Sequence, residues 1–126
     1  MVLGLEHTAI ASPDPERLAG WYVENLGFVI NYHSASSKTT FVKAPNGSMF
    51  EIILSAGERA PQTLKDPGLR HVAIAVDDFE ADYQRLKAKG VEFVADPVSS
   101  KGNRVVFFKD LDGNFLHLIE RETPLP

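Results

Sequence analysis

The heptapeptide LEHTAIA at Leu5–Ala11 returns as LRHVAIA at Leu69–Ala75, with five of seven letters kept and histidine third in both. The spacing holds beyond the motif. His7 and His71 lie 64 residues apart, Gly27 and Gly90 63, and Gly47 and Gly113 66. An offset kept within two residues over half a chain marks an internal repeat. Two copies of one unit usually pair around a pseudo-two-fold axis, which would set equivalent residues face to face.

Each copy reads as β-α-β-β-β. In the first, the apolar run Val2–Ala11 is short enough for a buried strand, and Ser12-Pro13-Asp14-Pro15 ends it and starts a helix. Leu18, Trp21, Tyr22 and Leu26 form an amphipathic stripe, predicted as core, and Gly27 stops the helix. Phe28–Tyr32, Thr39–Lys43 and Met49–Leu54 are predicted strands, with Pro45-Asn46-Gly47 as a hairpin turn. Ser55–Gly68 is polar and holds two prolines and two glycines, as a linker does. In the second copy Leu69–Val76 is a strand. Asp77-Asp78 caps a helix carrying Phe79, Tyr83 and Leu86, and Gly90 ends it. Val91–Val94, Arg104–Lys109 and Phe115–Glu120 are predicted strands, with Asp112-Gly113-Asn114 as a turn and Ser99–Asn103 as an exposed loop. The expected organisation is one domain over residues 1–126, with module one at 1–54, a linker at 55–68 and module two at 69–122.

The repeat singles out four residues. Glu51 is the fourth residue after Gly47, and His117 the fourth after Gly113. Each copy thus offers a matched pair, His7 with Glu51 and His71 with His117. Side chains at i and i+2 share a strand face, so Glu51 sits between Met49 and Ile53, and His117 between Phe115 and Ile119. An ionised group among apolar neighbours is expensive unless paired or bound to metal. Three imidazoles and one carboxylate around a single cation resolve that cost and suit Zn²⁺, Ni²⁺, Fe²⁺, Co²⁺ or Mn²⁺. The bland alternatives are hydrogen-bonded strand histidines copied by duplication, and a Glu51 that keeps a sheet edge from aggregating.

Composition removes other classes. Net charge is −4 and the pI about 5.5, so neither nucleic acid nor an anionic membrane is an expected partner. The chain has no cysteine, hence no disulfide framework, which fits a cytoplasmic setting. No basic segment followed by an apolar one is seen before Leu5, so a signal peptide is not expected, and no apolar run approaches the ~18 residues of a membrane span. His33, beside a serine-rich segment, reads as a surface residue. Asp110-Leu111-Asp112-Gly113 lacks the remaining ligands of a calcium loop and reads as a turn.

The segments LEHTAIA, WYVENLGFVI, NGSMFEIIL, LRHVAIAVDDFE and DLDGNFLHLIE together resemble the vicinal oxygen chelate superfamily, the glyoxalase I, bleomycin resistance and extradiol dioxygenase group. The resemblance runs from Leu5 to about Glu122. It implies an α+β fold of two tandem βαβββ modules forming an eight-stranded, cup-shaped mixed sheet. It also implies a divalent metal held by His7, Glu51, His71 and His117, from the first and last strands of each module. Glyoxalase I carries glutamate at the last of these places, where this chain has His117. Glu120, three residues on, faces away on a regular strand and is expected at the surface. In such a site Glu51, the one carboxylate, is the candidate catalytic base. Met49 and Phe115 would wall the substrate pocket, and Arg104 would reach an anionic substrate at its mouth. The implied function is a metal-dependent lyase or isomerase of glyoxalase type, or a dioxygenase, acting on a small molecule with vicinal oxygens, commonly as a homodimer. The rival is a metal-free small-molecule-binding protein of the bleomycin resistance kind.

Overall fold

The computed structural model describes all 126 residues. The chain resolves into two compact units, residues 1–59 and 60–126, divided within the expected linker. No helix is long and apolar enough to cross a membrane.

The first unit runs β1 (Thr8–Ser12), α1 (Pro15–Leu26), β2 (Val29–His33), β3 (Thr40–Lys43) and β4 (Met49–Leu54). Its sheet has the order β1-β4-β3-β2, with β1 parallel to β4 and the rest antiparallel. Helix α1 starts where the sequence places it. The Asp14 side chain accepts from Arg17 N at 3.2 Å, Pro15 opens the first turn, and Gly27 closes the helix at φ 70°, a left-handed conformation that suits glycine. The helix buries Leu18, Ala19 and Tyr22 against Phe28, Val42, Phe50 and Ile52. Each large apolar side chain so buried contributes roughly 1.5–3 kcal/mol. Trp21 is only half-buried.

The second unit repeats the plan with β5 (Val72–Ala75), α2 (Phe79–Ala88), β6 (Val98–Ser100), β7 (Asn103–Lys109) and β8 (Phe115–Arg121), in the order β5-β8-β7-β6. Asp78 caps α2 by accepting from Ala81 N at 3.1 Å. Phe79, Tyr83 and Leu86 meet Val106, Phe108, Leu116 and Leu118 in the core. The eight strands therefore form as two four-stranded mixed sheets, one per unit.

Three local expectations are corrected. The first strand does not extend over Val2–Leu5, where Val2, Leu3 and Leu5 are exposed. Its ladder starts at Thr8 opposite Phe50, one residue inside β4, so nothing is left to pair with residues before His7. Val91–Val94 is not a strand. Phe93 makes one isolated bridge to Phe108, and its ring lies 4.9 Å from Tyr83 and 5.9 Å from Phe108, centroid to centroid. The edge strand is instead Val98–Ser100, and the expected loop at Ser99–Asn103 is a tight hairpin. Lys101 and Gly102 both have positive φ, 51° and 76°, as a type I′ turn requires.

Candidate functional site

Burial alternates along β4, while β8 is buried at Leu116, His117 and Leu118 in succession; by strand parity each sheet has one face under its helix and one face without it. Phe50 and Ile52 go under α1, while Leu116 and Leu118 go under α2. The other faces carry the candidate residues. In the first unit β1 pairs Ala9 with Glu51, and His7, two residues before Ala9, shares that face. His7 Nε2 lies 3.8 Å from Glu51 Oε1. In the second unit Ala73 pairs with His117, and His71 stands in the same relation. The rings of His71 and His117 are 4.3 Å apart at 43°. Both first histidines sit one residue before their strand, at the open end of a parallel ladder beside the hairpin turn.

The repeat also places an aromatic ring that sequence reasoning misses. Phe41 pairs with Glu51, and Phe107 pairs with His117. His7 meets Phe41 edge-on at 5.5 Å, and His71 meets Phe107 edge-on at 5.2 Å. Phe107 also lies 5.0 Å from the His117 ring. A signal is present in the sequence, since Phe41 and Phe107 are 66 residues apart, the offset of the two turn glycines.

The two pairs differ in proton affinity. His7 is raised above the ordinary imidazole range, chiefly by its hydrogen bond to Glu6, with the Glu6 and Glu51 charges adding to it and desolvation opposing. His71 is lowered, by desolvation first and by Arg70 second. His117 is pushed down to about 4 by desolvation, then by His71, Arg70 and Arg121. Near neutral pH the second pair is therefore two uncharged imidazoles. Nδ1 of His71 and both ring nitrogens of His117 are buried with no hydrogen-bond partner. Such orphaned nitrogens are rare in folded proteins, and neutral imidazole nitrogens are metal ligands. The Glu6 carboxylate bonds the His7 ring, and in neither unit do three such side chains gather so as to hold a metal ion.

The remaining candidates fall on different faces. Met49 and Phe115 are half-buried on the same faces as Glu51 and His117. Met49 Sδ accepts from Asn31 Nδ2 at 3.4 Å, and Lys109 Nζ lies 5.5 Å from the Phe115 ring centroid. Arg104 pairs in register with Glu120, on the face under α2. Its guanidinium lies 4.5 Å from the Phe79 ring centroid and 3.4 Å from Glu80 Oε2, so the structure turns it away from the face that carries His117. Glu120 shares that helix face and accepts from Phe79 N at 3.1 Å, the first amide of α2. His33, expected as a plain surface residue, bridges two elements: its Nδ1 is 2.9 Å from Thr40 Oγ1 and its Nε2 3.0 Å from Glu16 Oε1. The Asp110 carboxylate accepts from Asp112 N, Asn114 N and Asn114 Nδ2, which makes this segment a carboxylate-stabilised turn.

Tandem βαβββ units, each presenting a histidine and a second polar group on the face its helix leaves uncovered, define the class of this protein. The chain belongs to the Glyoxalase/Bleomycin resistance protein/Dioxygenase superfamily, whose sequence model matches residues 4–118. It is 31% identical over 129 residues to the mitochondrial methylmalonyl-CoA epimerase of Homo sapiens, covering 90% of this chain and 72% of the epimerase. Among solved structures it is similar to the oxidase ChaP-H2, with a TM-score of 0.74 and 26% identity over 96% of this chain and 95% of that one. It shares its fold with TnmS3, an antibiotic binding protein from Streptomyces sp. CB03234, at a TM-score of 0.76 and 21% identity over 96% and 98% of the two chains. An epimerase, an oxidase and a binder on one architecture mean that function follows from the site and not from the fold.

Proposed function

We propose that this chain is a metal-dependent enzyme acting on a small molecule with vicinal oxygens, a lyase or isomerase of glyoxalase type with proton transfer as its chemistry. The observation that carries this reading is the set of orphaned, neutral imidazole nitrogens of His71 and His117. Their fit to a metal is chemical: each neutral ring carries one nitrogen lone pair that needs a donor or a cation, and no donor meets it. His7, Glu51, His71 and His117 would hold the ion, which when bound supplies a Lewis acid for an oxyanion on the substrate.

The chain's own residues do the rest. Glu51 is the only carboxylate of the set, and its side chain keeps 29% of its surface exposed, so a substrate proton can reach it. It takes the proton from carbon and returns it. His7 Nε2 lies 3.8 Å from that carboxylate, close enough for one ion to take both as ligands. In the first unit Met49 and Phe41 set apolar surface beside Glu51, and in the second Phe107 and Phe115 set it beside His117, which favours a substrate with a hydrophobic body around its oxygens. Homodimeric assembly and a cytoplasmic setting belong to the same proposal.

Elemental analysis of the purified full chain tests it, as isolated, after chelator treatment, and after reloading, beside His71→Ala. About one equivalent of transition metal per chain, lost in the variant, is the expected result. Iron would shift the reaction towards oxygen chemistry, as in a dioxygenase. No metal under any loading condition would overturn the enzyme reading in favour of a metal-free binding protein.

A further inference from the structure

The four proposed ligands leave out the cation that stands next to them. Arg70 immediately precedes His71, and its guanidinium lies 5.2 Å from the centroid of Phe107, the ring that touches both His71 and His117. Its Nε donates to the Leu64 carbonyl at 2.7 Å. The side chain is thus fixed from two sides, by the backbone of the preceding segment and by an aromatic face. No carboxylate neutralises it, and Nε is its only hydrogen-bonding nitrogen. A guanidinium has five N–H donors in a rigid fork, so the two terminal nitrogens are left to a ligand.

The repeat argues against a scaffold role. The residue before the first histidine is Glu6, which bonds the His7 ring. The residue before the second is an arginine that bonds neither histidine and reaches instead to the Leu64 carbonyl and the Phe107 ring. A support copied by duplication would keep its charge. A free cation beside a divalent ion weakens metal binding by repulsion, and an arrangement with that penalty is useful when the ligand brings a compensating anion.

We propose that Arg70 binds a carboxylate group of the substrate, a second function attached to the vicinal-oxygen body. This rests on the reading of the histidine faces as the substrate centre. One planar, singly charged carboxylate matches one free guanidinium edge, with the Phe107 ring as its apolar backing.

Calorimetric titration of the metal-loaded full chain tests the proposal with two probes, glycolate and tartronate, which carry the same hydroxyl and carboxylate and differ by a second carboxylate. Wild type is expected to favour tartronate over glycolate by a ratio that falls roughly tenfold in Arg70→Gln and less in Arg70→Lys, which keeps the charge but loses the fork. Metal affinity of Arg70→Gln is expected to stay equal or rise, an effect that general damage to the site does not produce. An unchanged ratio in Arg70→Gln, with metal and glycolate still bound, overturns the Arg70 assignment and leaves the proposed function standing. Failure of wild type to hold metal overturns the proposed function and this inference with it. If Arg70→Gln does not fold, the Arg70→Lys ratio decides: a value equal to wild type overturns the assignment.

Discussion

The imidazoles of His71 and His117 lie 4.3 Å apart, and the second is buried with both ring nitrogens unbonded. Two rings this close cannot both carry a proton without mutual repulsion, and burial disfavours even one charge. The equivalent pair in the first unit has the opposite character, an imidazole flanked by the carboxylates of Glu6 and Glu51. One duplicated plan thus yields a neutral donor pair and a pair rich in negative charge. Neutral nitrogen and anionic oxygen are the donors a borderline divalent cation takes.

The histidine pair makes stability depend on pH. His117 has a folded pKa of about 4 against the ordinary imidazole value of 6.5. A depressed imidazole pKa means that the unfolded chain binds the proton more readily, so stability is full above pH 6.5 and falls as pH drops towards 4. The loss between pH 7 and 4.5 is about 2 kcal/mol from this group, with His71 acting in the same direction. Urea unfolding of the chelator-treated protein at the two pH values measures it. His117→Phe, which fills the space without titrating, is expected to lose most of this pH dependence. An equal dependence in both proteins would show that His117 is not held neutral.

All four histidines are informative when compared. His7→Ala, His71→Ala and His117→Ala are each expected to lower bound metal well below one equivalent. His33→Ala is expected to leave it unchanged, because His33 is bonded to Thr40 and Glu16 and lies outside the proposed set. Its exposed ion pair and single neutral hydrogen bond together contribute on the order of 1 kcal/mol. Elemental analysis of the four variants, each checked for folding by circular dichroism, reads the pattern. Metal loss in His33→Ala alone would move the site to the α1–β2 corner.

Much of this architecture is legible because it is written in local chemistry. Asp14 and Asp78 cap their helices as capping residues do, and Gly27, at positive φ, ends the first. Register along β4 and β8 follows from period-two alternation, which puts Glu51 and His117 on the faces opposite Phe50 and Leu116. What is not legible depends on competition between segments. Val91–Val94 has the stronger strand composition, yet the edge position beside β7 goes to Val98-Ser99-Ser100, because the Lys101-Gly102 turn holds that segment in register with Asn103–Val105. The Val91–Val94 segment keeps only a single bridge further along β7, with Val94 N donating to Phe107 O at 3.1 Å and Lys109 N to Glu92 O at 2.9 Å, and the Phe93 ring packs on Tyr83. Arg104 departs from expectation for a related reason. Its parity puts it with Val106 and Phe108, on the helix face, and only the positions of Phe79 and Glu80 reveal what occupies it.

Asn31 and Met49 offer a test of the apolar wall. Met49 Sδ accepts from Asn31 Nδ2, a weak bond on an exposed edge. Met49→Leu keeps the volume and removes the sulfur, so stability is expected to change by less than about 1.5 kcal/mol and metal content not at all. Met49→Lys places a second cation on the Glu51 face and is expected to weaken metal binding at least tenfold. Metal titration of the two variants checks both expectations. Equal affinities would separate Met49 from the proposed centre.

Arg104 and Glu120 complete the set, because they are cross-strand neighbours that both serve α2. Glu120→Ala leaves the Phe79 amide, an orphan donor of the first turn, without its 3.1 Å acceptor. The expected loss is about 1 kcal/mol. Arg104→Ala removes a guanidinium stacked on Phe79 and an exposed ion pair with Glu80, and is expected to lower stability slightly. Neither substitution is expected to change metal stoichiometry or the affinity for glycolate, since both side chains point away from His117. Chemical denaturation and calorimetry on the two variants separate the effects. A drop in ligand affinity in Arg104→Ala, with stability unchanged, would return Arg104 to the substrate pocket and require α2 to move from the place it holds.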